Sequence, residues 1–86
     1  MAHIEYDFTL GAIRCYGAKD AETAAALMQK DLDAYSKTQG WLYVIDGAVE
    51  YYQPRDVYSA PIRPVAPYNA ENIKKYANVY WSAKTN

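Results

Sequence analysis

The sequence holds one cysteine, one histidine and one phenylalanine, and no run of more than five apolar residues. A lone Cys15 forms no disulfide within the chain, so no disulfide framework staples this fold. Cys15 and His3 together are too few ligands for a structural zinc site. A reducing compartment fits this cysteine usage. The longest apolar runs, residues 24–28 and 41–45, fall short of the roughly 20 residues of a membrane span and the roughly 7–15 of a signal-peptide core. The start of the chain, with Glu5 and Asp7 close behind His3, has no basic region. The expectation is a soluble, cytoplasmic protein with no membrane partner. Charge of one sign is lacking too. Nine bases against ten acids give a net charge of -1, which suits neither a nucleic-acid-coating polycation nor a DNA-mimicking polyanion. Gly11 and Gly17 stand singly and build no phosphate cradle.

Tyrosine is what the sequence has in abundance. Ten tyrosines and two tryptophans raise the aromatic share to 15%. A tyrosine ring can complete a small core with its hydroxyl in water, or it can supply a contact surface. At 86 residues the chain reads as one domain, 1–86, with 51% apolar and 22% charged residues, a globular balance. A domain this small buries roughly 60% of the surface its unfolded chain exposes, so its core must be used well.

Ile4, Tyr6, Phe8 and Leu10 alternate with Glu5, Asp7 and Thr9, which is the period of a half-buried strand with two acids facing water. Gly11 then marks a turn or a bulge, so residues 3–16 form either a hairpin or one bulged strand. Asp20 is a helix N-cap residue, with Glu22 in the first turn, and Gly40 is a stop signal. Between them Ala21, Ala24, Ala25, Met28, Leu32 and Tyr35 fall on one face, predicting a main helix over 20–38.

Two β-rich runs flank Asp46-Gly47, the signature of a type I′ hairpin turn, and predict a hairpin over 41–52. A two-residue turn would pair Ile45 with Ala48 and Trp41 with Tyr52. Leu42, Val44, Val49 and Tyr51 would then face the helix, and Trp41, Tyr43, Glu50 and Tyr52 would share the other side. Further on, Pro54, Pro61, Pro64 and Pro67 interrupt a stretch that still carries Val57, Tyr58, Ile62, Val65 and Tyr68. Proline lacks the ladder donor, so this stretch is expected as an ordered strap outside the middle of the sheet. Asn69 with Glu71 opens a short C-terminal helix, predicted over 70–81. The fold class expected is therefore α+β: an antiparallel sheet on one main helix, with a proline-rich strap and a short last helix.

The sequence offers little for catalysis. Glu5 and Asp7 read as solvated acids rather than an acid–base pair. Met1-Ala2-His3 would wrap Cu(II) only with Met1 retained, which the small Ala2 disfavours. Cys15 has no motif partner and reads as a small core residue. No cofactor is implied. Lys74, Lys75, Tyr76, Tyr80, Trp81 and Lys84 mix bases with rings as nucleic-acid platforms do, but phosphate contact dominates such affinity and the chain is slightly acidic. The aromatic side of the expected hairpin is either covered by the strap and the last helix or left as a docking surface; as a surface it is the preferred one, because Trp, Tyr and Arg dominate interface energies. The candidate partner-binding residues are Trp41, Tyr43, Glu50 and Tyr52, joined by Arg55, Tyr58, Arg63 and Tyr68 of the strap.

In size, charge, tyrosine content and want of a catalytic motif, the chain resembles the small single-domain inhibitors that phages and mobile elements use against host enzymes, anti-CRISPR proteins among them. The resemblance covers no motif and assigns no residue. It implies a non-enzymatic domain that binds a protein target. The alternatives are a nucleotide or single-stranded nucleic-acid binder and a small subunit of a larger complex. A homodimer through exposed strand edges is compatible with either.

Overall fold

The structure is a computed structural model that describes residues 2–76. In them the chain runs β1 (His3–Asp7), β2 (Ala12–Tyr16), α1 (Ala21–Gln39), β3 (Trp41–Ile45), β4 (Glu50–Tyr52), β5 (Val57–Pro67) and α2 (Ala70–Lys75). All the strand pairings are antiparallel, in the order β1-β2-β5-β3, with β4 also on β5. The α+β class stands, as does the main helix. Residues 77–86, which include the end of the last expected helix and Tyr80, Trp81 and Lys84, lie outside the described residues.

The first strands form a hairpin, not one bulged strand. Asp7 pairs with Ala12 across a loop of residues 8–11 in which Gly11 adopts φ +67°. The Leu10 N–H donates to the Asp7 carboxylate at 3.1 Å and closes the loop. Alternation therefore stops at Asp7, leaving Phe8 and Leu10 exposed. The α1 helix begins where Asp20 accepts from the Thr23 N–H at 2.7 Å, and ends where left-handed Gly40 donates to the Ser36 carbonyl at 2.9 Å.

The hairpin over 41–52 is not formed. Strands β3 and β4 run in the same direction along β5, with Ile45 opposite Ile62 and Glu50 opposite Ser59. Six residues separate Ile45 from Tyr51, whereas four separate their partners Ile62 and Tyr58, so residues 46–49 bulge out of an otherwise continuing strand. Gly47 does not take positive φ. It is there because a Cβ would lie 2.6 Å from the Pro61 ring carbon Cγ. The real turn is Gln53–Arg55 with Asp56, where Pro54 opens a 3-10 turn and Asp56 takes φ 50°. The Tyr51 hydroxyl donates to the Asp56 carboxylate at 2.9 Å across its base.

The proline-rich stretch, expected as a strap outside the sheet, is instead its central strand. The prolines stand where a missing N–H costs nothing. Ile62 donates to the Gly11 carbonyl, so by alternation the Pro64 nitrogen points to the same side, past the end of β2. Tyr68 donates to the Gly40 carbonyl on the β3 side, so Pro67 points away from β3. The Pro61 carbonyl accepts from Asp46, which turns its nitrogen toward the bulged residues 46–49. Proline excludes a central strand only where the ladder needs its donor, and here it does not.

One face of the sheet is sealed by α1. Ile13 and Cys15 of β2, Ile45 of β3, and Ala60 and Ile62 of β5 pack with Ala24, Met28 and Leu32 of the helix. Tyr6, Phe8, Tyr35 and Tyr43 extend this layer as a chain of rings with centroids 5.0–5.4 Å apart. The Tyr6 hydroxyl donates to the Asp31 carboxylate at 2.6 Å. Leu42 and Val44 alternate with these inward residues; both are buried, outside the main cluster.

Candidate functional site

Because the chain continues through residues 46–49 rather than turning, odd positions keep to one side from Trp41 to Tyr51. A two-residue turn would have swapped them. The expected grouping of Trp41, Tyr43 and Tyr52 is thereby split, with Tyr52 on the side away from α1. Tyr43 is half-buried, its ring edge against Tyr35 at 5.3 Å, its backbone N–H held by the Ser36 hydroxyl at 3.0 Å. It belongs to the core layer. Trp41 is 43% exposed at the start of β3, opposite Pro67. Tyr58 is half-buried and packs against the Tyr51 ring at 4.7 Å. Arg63 is engaged with Asp46 at 2.8 Å. Tyr68 follows β5, half-buried and tied to Gly40 through its N–H.

Three of the eight candidate residues come together elsewhere. Glu50, Tyr52 and Arg55 line a concavity of about 730 Å³ on the sheet face that α1 does not cover. Facing them across β5 are Glu5 and Asp7 of β1 and Arg14 and Tyr16 of β2, with Val57 and Ser59 between. The register explains the gathering. Glu5 pairs with Arg14, Arg14 with Ser59, and Ser59 with Glu50, so four strands place one row of polar side chains side by side. The next row runs His3, Tyr16, Val57 and Tyr52.

The charges in these rows are partly spent on each other. Arg14 donates to the Asp7 carboxylate at 3.2 Å. That carboxyl is held below its ordinary pKa, first by the Leu10 N–H and then by Arg14. His3 bonds Glu5 at 3.1 Å and stacks on Tyr16, with centroids 4.8 Å apart and planes 9° from parallel. Neither Glu50 nor Arg55 makes an ion pair among the described residues.

The sequence reading missed Arg14, Tyr16, Val57 and Ser59 as contributors. The signal was present in β2, where Arg14 and Tyr16 alternate with the core residues Ile13 and Cys15. It was unusable without knowing that β4 and β2 flank the same stretch of β5. Lys74 and Lys75 of the expected basic platform are exposed at the end of α2, with the Lys75 ammonium 5.7 Å from the Tyr76 ring centroid. Burial pushes the Cys15 thiol pKa up, opposite to what a nucleophilic thiolate needs. Among the described residues no three His, Cys, Asp or Glu side chains group as a metal site requires. No helix of the described residues is long and apolar enough to cross a membrane. The sequence matches no family model, and neither curated proteins nor solved structures include a match to this chain.

Proposed function

We propose that this chain is a non-enzymatic protein-binding domain whose partner docks on the open face of the sheet, in the manner of a small inhibitor that occupies a surface of a larger target. The observation that carries the reading is the contrast between the two sides of β2 and β5. One side is packed under α1, and on the other three tyrosines, three carboxylates and two guanidinium groups line a concavity of about 730 Å³. Tyrosine and arginine are the residues that protein-contact surfaces favour. A phosphate-bearing ligand would meet Glu5, Asp7 and Glu50 on the same face, and Arg14 there is already neutralised by Asp7. That disfavours the nucleic-acid alternative at this site.

Capture from a lysate of the natural host tests the proposal. The native chain is compared with Tyr52→Ala and Glu50→Lys at low and high salt. A protein retained by the native chain at both salts, and lost with both variants, is the expected result. Recovery of nucleic acid alone, lost at high salt, would replace this reading with nucleic-acid binding. Equal capture of one protein by all three chains would move the interface off this face.

A further inference from the structure

We infer that the open face seats a planar cation, an arginine side chain of the partner, over Val57 and Ser59 and between the rings of Tyr16 and Tyr52. The inference rests on the protein-binding reading above and names what that site holds.

The geometry comes from the register. Tyr16 pairs with Val57 and Val57 with Tyr52, so the two tyrosines stand two strand spacings apart, about 10 Å between backbones. Between them Val57 is already covered by its neighbours, at 4% exposed, and the floor that solvent reaches is the small, half-buried Ser59 beside it. The result is a slot walled by rings. A cation on its midline lies about 5 Å from each wall, inside the roughly 6 Å over which a ring face attracts a cation. The wall formed by Tyr16 is fixed from behind. His3 stacks on one face of its ring within 9° of parallel, which leaves the other face toward Val57.

The charge around the slot selects the guest. Asp7 occupies Arg14, and His3 occupies Glu5. Glu50, beside Tyr52 on the far wall, is exposed and makes no ion pair among the described residues. Arg55, which likewise makes no ion pair among the described residues, comes from the turn beyond Tyr52 rather than from the strand rows. A guanidinium group entering the slot gains two ring faces and the Glu50 carboxylate. It suits the slot better than an ammonium because it is planar and stacks. A nucleobase would find the same rings, but its phosphate would meet three carboxylates.

The test is a titration of the isotopically labelled full chain, followed by nuclear magnetic resonance. The probes are a capped pentapeptide with one arginine among glycines, its lysine counterpart and adenosine monophosphate. The arginine peptide is expected to shift the amides of Tyr16, Val57, Ser59 and Tyr52, saturably and several-fold more tightly than the lysine peptide. Tyr52→Ala and Glu50→Gln should each weaken it roughly fivefold or more, whereas Trp41→Ala should leave it unchanged. Tyr52 and Glu50 are exposed, so unchanged spectra elsewhere verify that both variants fold. Shifts that miss the slot, equal response to lysine, or indifference to Tyr52→Ala would overturn the arginine guest. So would tighter binding of adenosine monophosphate at the same amides. Protein capture through this face, lost with Tyr52→Ala, would survive any of those results, which separates failure of the guest from failure of the binding reading.

Discussion

Strand β2 has two different sides. Ile13 and Cys15 are both fully buried beneath α1, while Arg14 and Tyr16, one residue away in each case, stand on the open face. The closed side is a shape problem: aliphatic and small side chains fill the space under an alanine-rich stretch of helix. The open side is a chemistry problem, where paired and unpaired charges and tyrosine rings await a second surface. The difference implies that stability and recognition are carried by alternate residues of the same strands, so a substitution should disturb one with little effect on the other.

The largest break in that division comes from the closed side. Leu32→Ala empties a fully buried position and should cost about 2–5 kcal/mol, read as a lower denaturation midpoint. A second strong effect is expected at the joint between β3 and β4. Gly47→Val should cost about 1–3 kcal/mol, because its side chain collides with the Pro61 ring. Pairing it with Pro61→Ala should return part of the loss. Absence of any rescue would restore a turn conformation as the reason for the glycine. Tyr6→Phe removes the hydroxyl bonded to Asp31 at the rim of the closed side and should cost about 1 kcal/mol at neutral pH.

The same tyrosine gives the closed side a signature in alkali. Burial, and then the bond to Asp31, raise the Tyr6 pKa above its ordinary 10. The unfolded chain therefore releases this proton first. Stability from Tyr6 is intact below about pH 10 and is lost as pH rises from there toward the folded value. Tyr6→Phe should flatten that alkaline limb in melts taken above pH 9. Asp7, on the open side, has the opposite sign. Its lowered pKa gives stability that is present above about pH 4 and lost as pH falls through the folded value. Asp7→Ala should shrink the fall in melting temperature below pH 4. The smallest effect is expected from Tyr52→Ala, within about 0.5 kcal/mol of the native chain, since its ring is 57% exposed. A loss as large as that of Leu32→Ala would show that the open face is structural.

The α+β class and the helix were legible because their signals are local. Asp20, Gly40 and the stripe through Ala24, Met28 and Leu32 fix α1 without reference to anything distant. The N-terminal hairpin was half legible, since Gly11 announced a turn but not its length. Asp46-Gly47 misled for a physical reason. Glycine serves positive φ and close approach equally well, and only the position of Pro61, fourteen residues on, tells which applies. Gln53-Pro54-Arg55-Asp56 carried the turn signal that was needed, proline followed by a residue tolerant of left-handed geometry. It was obscured by the prolines after it. Of the candidate residues, Glu50, Tyr52 and Arg55 reached the concavity. Trp41 and Tyr43 were grouped with Glu50 and Tyr52 by a parity that depended on the wrong turn, and Tyr58, Arg63 and Tyr68 were placed on a strap that is in fact the central strand or its end.

The prolines of β5 have one more consequence. Beyond the end of β2, the strand's outer side past Ile62, whose N–H is taken by the Gly11 carbonyl, faces no described strand. A bare edge of this kind ordinarily templates the addition of a foreign strand and, repeated, the growth of fibres. Pro64 and Pro67 both turn donor-less nitrogens to that side, so an incoming strand would find two consecutive rungs missing. Among the described residues the prolines alone guard this part of the β5 edge. Replacing both prolines with valine would put that to the test in a simple turbidity assay.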